Sequence, residues 1–110
     1  MAYDKDLAER IRGLLPARPI TEKAMFGGLA FLVDGHMAVS ASGQGGLLVR
    51  VDPDETERLV GREHVRRFEM RGRSMDGWLR VDDAGLRTKR QLAGWVTRGV
   101  KYARSLPPKR

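Results

Sequence analysis

The chain has 110 residues, the usual size of a single folded domain; 41% of them are hydrophobic and 32% are charged. It contains no cysteine, which excludes disulfides and thiolate metal sites. No apolar stretch approaches the roughly 18 residues of a membrane span, and the N-terminus lacks the apolar core of a signal peptide. We therefore expect one cytoplasmic domain over residues 1–110, with a basic tail at 107–110 and no membrane association.

The positive charge is concentrated at one end of the chain. The formal net charge is +7, and residues 84–110 contain eight basic side chains and no acidic one. Residues 1–83 therefore sum to −1, from 13 basic and 14 acidic side chains. The basic excess is thus a local feature of the C-terminal quarter, and this is where a contact with phosphate would be expected.

The first half of the chain predicts one helix followed by three strands. Asp4 can cap a helix with apolar residues at 7, 11, 14 and 15, which fall on one helical face, and Pro16 ends it. Strands are predicted at residues 29–33, 36–41 and 47–51. Asp34-Gly35 joins the first two strands as a type I′ hairpin turn, and "GQGG" at 43–46 forms the next turn.

The second half predicts a short helix, two strands and a long helix. Asp52 can cap the short helix, with Pro53 at its first position and Gly61 at its end. The two strands are predicted at 67–71 and 77–81 around a loop at 72–76, and the last helix at about 88–106. The order is α-β(3)-α-β(2)-α. Hairpin-linked strands favour an antiparallel sheet, so the predicted fold class is α+β, a two-layer domain.

The first hairpin is apolar on both of its faces. A two-residue turn places Leu32 opposite Met37 and Ala30 opposite Val39 on one face, and Phe31 opposite Ala38 on the other. An antiparallel sheet normally exposes one face to water, so something is expected to cover the second. The chain's own helices are the favoured cover. A loop and a second copy of the chain are the alternatives, and a second copy would make the protein a homodimer.

No arrangement of residues typical of catalysis is present. Gly27-Gly28 leads into a strand and not into a helix, so these glycines are interpreted as a bend or close approach and not as a phosphate loop. His36 and His64 lack metal-ligand spacing, and no serine lies in a nucleophile elbow. We predict no catalytic, cofactor-binding or metal-binding residues, no cofactor, and a protein that is not an enzyme.

The last predicted helix has one apolar and one basic face. Its basic face is a candidate nucleic-acid-binding surface, and a plain solvated face is the alternative interpretation. The four candidate residues are Arg90, Arg98, Lys101 and Arg104. A second basic cluster surrounds the strand at 67–71, diluted by acidic residues; it comprises Arg62, Arg66, Arg67, Arg71 and Arg73.

Several ordered segments resemble the N-terminal domain of the TfoX/Sxy family, the regulators of natural competence. The segments are "MAYDKDLAERIRGLL", "MFGGLAFLVDGHMAV", "LLVRV", "GRSMDGWLRVD" and "LAGWVTRGVKYARSLPPK", which together extend over about residues 1–108. The resemblance implies an α-β(3)-α-β(2)-α domain, shared in outline with type III secretion chaperones. It also implies a regulatory role, because full-length members act with a cyclic-AMP receptor protein at competence promoters. Those proteins carry a second, C-terminal domain, and this chain ends where that domain would begin, so we expect a single-domain member.

The residues and the resemblance together favour a non-enzymatic regulatory domain, a transcription or competence regulator acting through protein contacts. Its expected partner is a protein such as a transcription regulator, with weak nucleic-acid binding as an additional expectation. One alternative is a dimeric protein-interaction module with no nucleic-acid role. The other is a small-ligand-binding protein whose pocket would lie near Gly27, Arg71 and Arg73.

Overall fold

The computed structural model describes residues 3–16, 20–25, 27–70 and 72–107. They form three α-helices and a six-stranded sheet whose neighbouring strands are all antiparallel, in the order β1-β2-β3-β4-β6-β5. The elements are α1 (Lys5–Leu14), β1 (Ile20–Met25), β2 (Gly28–Val33), β3 (His36–Ala41), β4 (Leu47–Arg50), α2 (Thr56–Leu59), β5 (Val65–Met70), β6 (Arg73–Val81) and α3 (Lys89–Ser105). The predicted α+β class with an antiparallel sheet is confirmed.

The caps that the sequence predicted for the helices are formed. The Asp4 carboxylate accepts a hydrogen bond from the Leu7 amide at 3.1 Å at the start of α1. Asp52 accepts one from the Asp54 amide at 2.9 Å at the start of a 3₁₀ turn that leads into α2. These side chains satisfy amides that a helix leaves without a partner, which is why the helices begin there.

Strand β1 is an addition to the predicted order. Four of its six residues are exposed, and its sequence, "ITEKAM", lacks the apolar alternation that identifies a half-buried strand. It forms because it pairs with β2 along its whole length, from Ile20 opposite Val33 to Met25 opposite Gly28. Arg12 of α1 also holds it, through bonds of 2.6 and 2.8 Å to the Glu22 carboxylate, and these bonds lower the pKa of Glu22.

The β2–β3 hairpin has the predicted turn but a shifted register. Asp34 and Gly35 have φ angles of 54° and 85°, as a type I′ turn requires, and Leu32 lies opposite Met37 as predicted. Beyond that pair a β-bulge intervenes, so Phe31 lies opposite Val39. The prediction that Phe31 faces Ala38 and that Ala30 faces Val39 is therefore wrong, because one extra residue on β3 reverses the faces that follow it.

The second hairpin also differs from its prediction. Residues 73–76, predicted as part of a loop, extend β6, which runs from Arg73 to Val81. Gly72, with φ 77°, lies in a turn between the strands, and Arg71 beside it lies outside the described residues. Between the pairs Arg67–Leu79 and Phe68–Met75, β6 advances by four positions while β5 advances by one, so three residues of β6 have no partner on β5. This irregularity interrupts the alternation of inward and outward side chains in the N-terminal half of β6.

The helices and one face of the sheet enclose the main core. Apolar side chains of all three helices pack there with the inward side chains of the strands. The largest fully buried side chains are Phe31, Ile11, Leu47, Leu59, Leu79, Leu86, Leu92, Val33, Val39, Val49, Val51 and Val81. The predicted apolar arc of the last helix consists of residues 92, 95, 96, 99, 100, 102, 103 and 106, and it is confirmed. Six of these eight residues are buried: Leu92, Trp95, Val96, Gly99, Val100 and Ala103. Thr88 and Gln91 form a reciprocal capping box at the start of α3.

One buried hydroxyl ties α2 to β6 and gives the first stability prediction. Thr56 is 1% exposed, and its Oγ1 accepts a hydrogen bond from the Gly77 amide at 2.8 Å. Thr56→Val keeps the shape but leaves that buried amide without a partner, so we expect a loss of about 1–3 kcal/mol in the free energy of unfolding. Thr56→Ser, which keeps the hydroxyl, should lose less in the same urea titration. Equal losses in the two variants would contradict a role for the hydrogen bond.

Candidate functional site

The face of the sheet opposite the helices carries a second apolar cluster. Its buried members are Ala30, Met37 and Leu48, and four partly buried side chains pack against them: Met25, Leu32, Phe68 and Trp78. Every strand contributes at least one of these seven residues, and no helix of the described chain contributes any. We call these residues the sheet cluster and this side of the sheet the open face.

The helices therefore do not provide the expected cover for the second apolar face. All apolar helical side chains that are buried in the described part of the chain belong to the main core. The physical reason is connectivity, because α1 and α3 both pack against β3 from the same side and α3 extends over β2 and β4. The favoured expectation, cover by the chain's own helices, is wrong for this face.

Basic side chains share the open face with the sheet cluster. Strand register places Lys23 opposite Ala30, Arg80 opposite Leu48, and Arg50 opposite Trp78. Arg66 lies opposite Arg80 on the edge strand β5. A groove of about 620 Å³ opens beside them, lined by Gln44, Arg66, Arg67, Phe68, Glu69, Ser74 and Arg80. The open face is thus apolar in its centre and predominantly basic around it.

These basic residues differ in what already binds them. Arg80 donates to the carbonyls of Gln44 and Gly45 at 2.9 and 2.6 Å, so it holds the turn between β3 and β4. Arg66 pairs with Asp82 at 3.2 Å. The Arg50 guanidinium carbon lies 5.0 Å from the Trp78 ring centroid, a cation–π contact. Within the described chain, no carboxylate oxygen lies within 4.0 Å of the Lys23 or Arg50 side-chain nitrogens.

The four candidate nucleic-acid-binding residues of α3 occupy two environments. Arg90, Lys101 and Arg104 are exposed. Arg98 is half-buried, with its guanidinium 3.0 Å from the Glu55 carboxylate and 5.9 Å from the Trp95 ring centroid. A guanidinium bound in this way is less available to phosphate than its position on the helix suggested. Nucleic-acid binding by these residues stays a prediction.

Two members of the second basic cluster bind carboxylates in the structure. Arg67 pairs with Asp76 at 3.1 Å and with Glu57 at 3.6 Å, and Arg66 pairs with Asp82. Arg62 and Arg73 have no carboxylate within 4.0 Å among the residues described, and Arg71 lies outside them. The Arg62 guanidinium carbon lies 5.6 Å from the Trp95 ring centroid.

Gly27, Gly28 and His36 have positions that explain them structurally. Gly27 has φ 78°, and a Cβ on Gly28 would lie 2.2 Å from the Ala41 carbonyl oxygen, so these two residues form a turn and a close approach, as expected. His36 is buried, with Nε2 2.6 Å from the Pro107 carbonyl oxygen, a contact that the sequence did not indicate. In the described ranges, no three His, Cys, Asp or Glu side chains converge as metal ligands would. None of the helices there is long and apolar enough to cross a membrane.

The element order and the placement of the helices on one face of an antiparallel sheet define a two-layer α+β domain. The family model of the TfoX N-terminal domain matches residues 13–103, and the chain belongs to this family. The resemblance stated from the sequence is thereby confirmed. Among curated proteins, no sequence matches this chain significantly.

Proposed function

We propose that this chain is a non-enzymatic regulatory domain that acts by binding a protein partner through the open face of its sheet. Membership of the TfoX N-terminal family supports a regulatory role, since full-length members act with a protein partner at competence promoters. The observation that carries the proposal is the sheet cluster, whose four partly buried apolar side chains lie on a face that no helix of the described chain covers. The corresponding cellular role is transcription or competence regulation in the cytoplasm.

The composition of the sheet cluster is that of an interface. Its partly buried members include Met, Phe and Trp, residue types enriched where proteins bind one another. Trp78 lies against Arg50, and such pairs of an aromatic ring and an arginine recur at interface hot spots. A partner that covers the four partly buried members would remove their remaining apolar surface from water at about 25 cal/mol per Å².

The basic side chains of the open face favour an acidic partner. Lys23 and Arg50 flank the sheet cluster with no carboxylate of the described chain within 4.0 Å. A segment that presents apolar side chains between Asp or Glu residues would be complementary to this surface. A second copy of the chain would not, because a two-fold interface through this face would bring the same basic residues together.

The test compares two double charge reversals, one at Lys23 and Arg50 on the sheet and one at Lys101 and Arg104 on α3. Immobilised wild type, Lys23→Glu/Arg50→Glu, and Lys101→Glu/Arg104→Glu are each exposed to native cytoplasm with and without nuclease treatment. We expect the protein retained by the wild type to be retained by the α3 variant, and to bind at least about tenfold more weakly to the open-face variant, because like charges then oppose each other. Circular dichroism confirms that all three proteins are folded.

Three results would contradict the proposal. In the first, the α3 variant alone loses binding, and does so only in cytoplasm that was not treated with nuclease; the bound molecule would then be nucleic acid, contacted by Lys101 and Arg104. A dimer in light scattering that Lys23→Glu/Arg50→Glu dissociates would support the homodimer instead. Equal retention by all three proteins would show that the open face makes no specific contact.

A further inference from the structure

A second site lies on the helix side of the molecule, away from the open face. A pocket of about 330 Å³ opens between the segment after α2 and the first turns of α3. This volume is at the lower end of the range of small-molecule sites, about 300–1,000 Å³. Three arginines line it, Arg62, Arg90 and Arg98, together with Trp95. We call it the arginine pocket.

Trp95 positions two of these arginines. The ring is 7% exposed, and the guanidinium carbons of Arg62 and Arg98 lie 5.6 and 5.9 Å from its centroid. Both distances are within the range of cation–π attraction. Because the ring is fixed in the core, the two guanidiniums are partly ordered before any ligand binds, which reduces the entropy lost on binding.

The third arginine, Arg90, lies on α3 together with Arg98, and Gly94 lies between them. Arg90, Gly94 and Arg98 follow one another at i, i+4 and i+8 and so lie along one side of the helix. A Cβ on Gly94 would have no atom within 4 Å, so the space between the two arginines is open. Gly94 lines the pocket together with Arg62, Arg90 and Arg98, so this open position borders the same space as the three arginines.

The pocket has more positive than negative charge. Glu63 lines it, and Glu55 binds Arg98 at 3.0 Å. Arg62 and Arg90 have no carboxylate within 4.0 Å among the residues that the structure describes. Two guanidinium groups without an acidic partner, next to a third, are a suitable arrangement for a doubly charged anion with several acceptor oxygens.

We infer that the arginine pocket binds the phosphate group of a small phosphate monoester. Guanidinium groups donate paired hydrogen bonds to phosphate oxygens, and a monoester dianion complements the two arginines that lack carboxylate partners. A nucleic-acid backbone fits less well, because it requires phosphate contacts along an extended surface. Lys101 and Arg104, the remaining cations of that helix face, line a different, mainly apolar groove next to α1.

The test uses inorganic phosphate as the probe and Trp95 as the reporter. In a Trp78→Phe background, Trp95 is the single tryptophan, and its emission is followed while phosphate replaces chloride at constant ionic strength. We expect a saturable change, with binding weakened about tenfold or more in Arg90→Gln because a charged donor is lost. Arg104→Gln, the same substitution on the same helix outside the pocket, should leave the dissociation constant unchanged.

A second variant tests whether phosphate occupies the space between Arg90 and Arg98. Gly94→Gln places a side chain between the arginines at a helix position that tolerates it, and should also weaken phosphate binding about tenfold. The inference is overturned if phosphate gives no saturable response, or if Arg90→Gln and Arg104→Gln weaken binding equally. It is also overturned if a short DNA duplex saturates the response and inorganic phosphate does not, since the site would then be one for nucleic acid.

Discussion

Replacing Gly28 with alanine is expected to lower the free energy of unfolding by about 2–3 kcal/mol, the effect of forcing an extra methyl group into a packed site. The new Cβ would lie 2.2 Å from the Ala41 carbonyl oxygen and 3.0 Å from the Gly43 amide nitrogen. Both atoms belong to the backbone, so no side-chain rotation can relieve the contact. Strands β2 and β3 would have to separate at this end of the sheet.

Gly27→Ala is the matched control for this prediction. Gly27 has φ 78°, so alanine there adopts a left-handed conformation that costs about 1–2 kcal/mol, but its Cβ would have no atom within 4 Å. Urea titration of both variants should therefore rank Gly28→Ala as the less stable. The reverse order would mean that turn conformation, and not strand proximity, accounts for this glycine pair.

The comparison of these two variants tests the structural role of the "MFGG" segment, which is part of the family resemblance. Gly43, in the next turn, would place a Cβ 2.4 Å from the Gly27 carbonyl oxygen, so the two turns are in direct backbone contact. Gly27, Gly28 and Gly43 are accounted for by close approaches between neighbouring strand ends, and Gly46 by its approach to the Val81 carbonyl oxygen. These glycines contribute to the shape of the sheet.

Features encoded by near neighbours in the chain were predictable. The Asp4 and Asp52 caps, the Asp34-Gly35 turn and the capped start of α3 each depend on residues two or three positions apart. Local hydrogen bonding and allowed backbone angles determine them. The helical and strand segments followed from the spacing of apolar residues for the same reason.

Features set by distant contacts were not predictable. Strand β1 forms through pairing with β2, the bulge at Ala38 shifts the register of β3, and Arg98 binds a carboxylate 43 residues away. The open face was missed because both faces of the hairpin are apolar, and the sequence does not state which one the helices cover. The arginine pocket combines Arg62 with residues of α3, and only the folded chain brings them together.

The second large effect is expected at Gly99, where α3 lies closest to the sheet. A Cβ there would lie 2.5 Å from the Ala38 carbonyl oxygen and 3.0 Å from Val39 Cγ1. Gly99→Ala should therefore shift α3 away from the bulge in β3 and lower the free energy of unfolding by about 2 kcal/mol, even after the gain in helix propensity.

Gly94→Ala, five residues earlier in the same helix, should do the opposite. Its Cβ enters open space, so only the reduced entropy of the unfolded chain remains, and the domain should gain about 0.5–1 kcal/mol. Urea titration of both variants separates the two contributions, because helix propensity is common to them and proximity to Ala38 is not. Stabilisation of similar size in both would mean that α3 does not pack directly on the bulge. Opposite signs would show that the small residue at 99 is what allows the long helix to cover one face of the sheet and leave the other open.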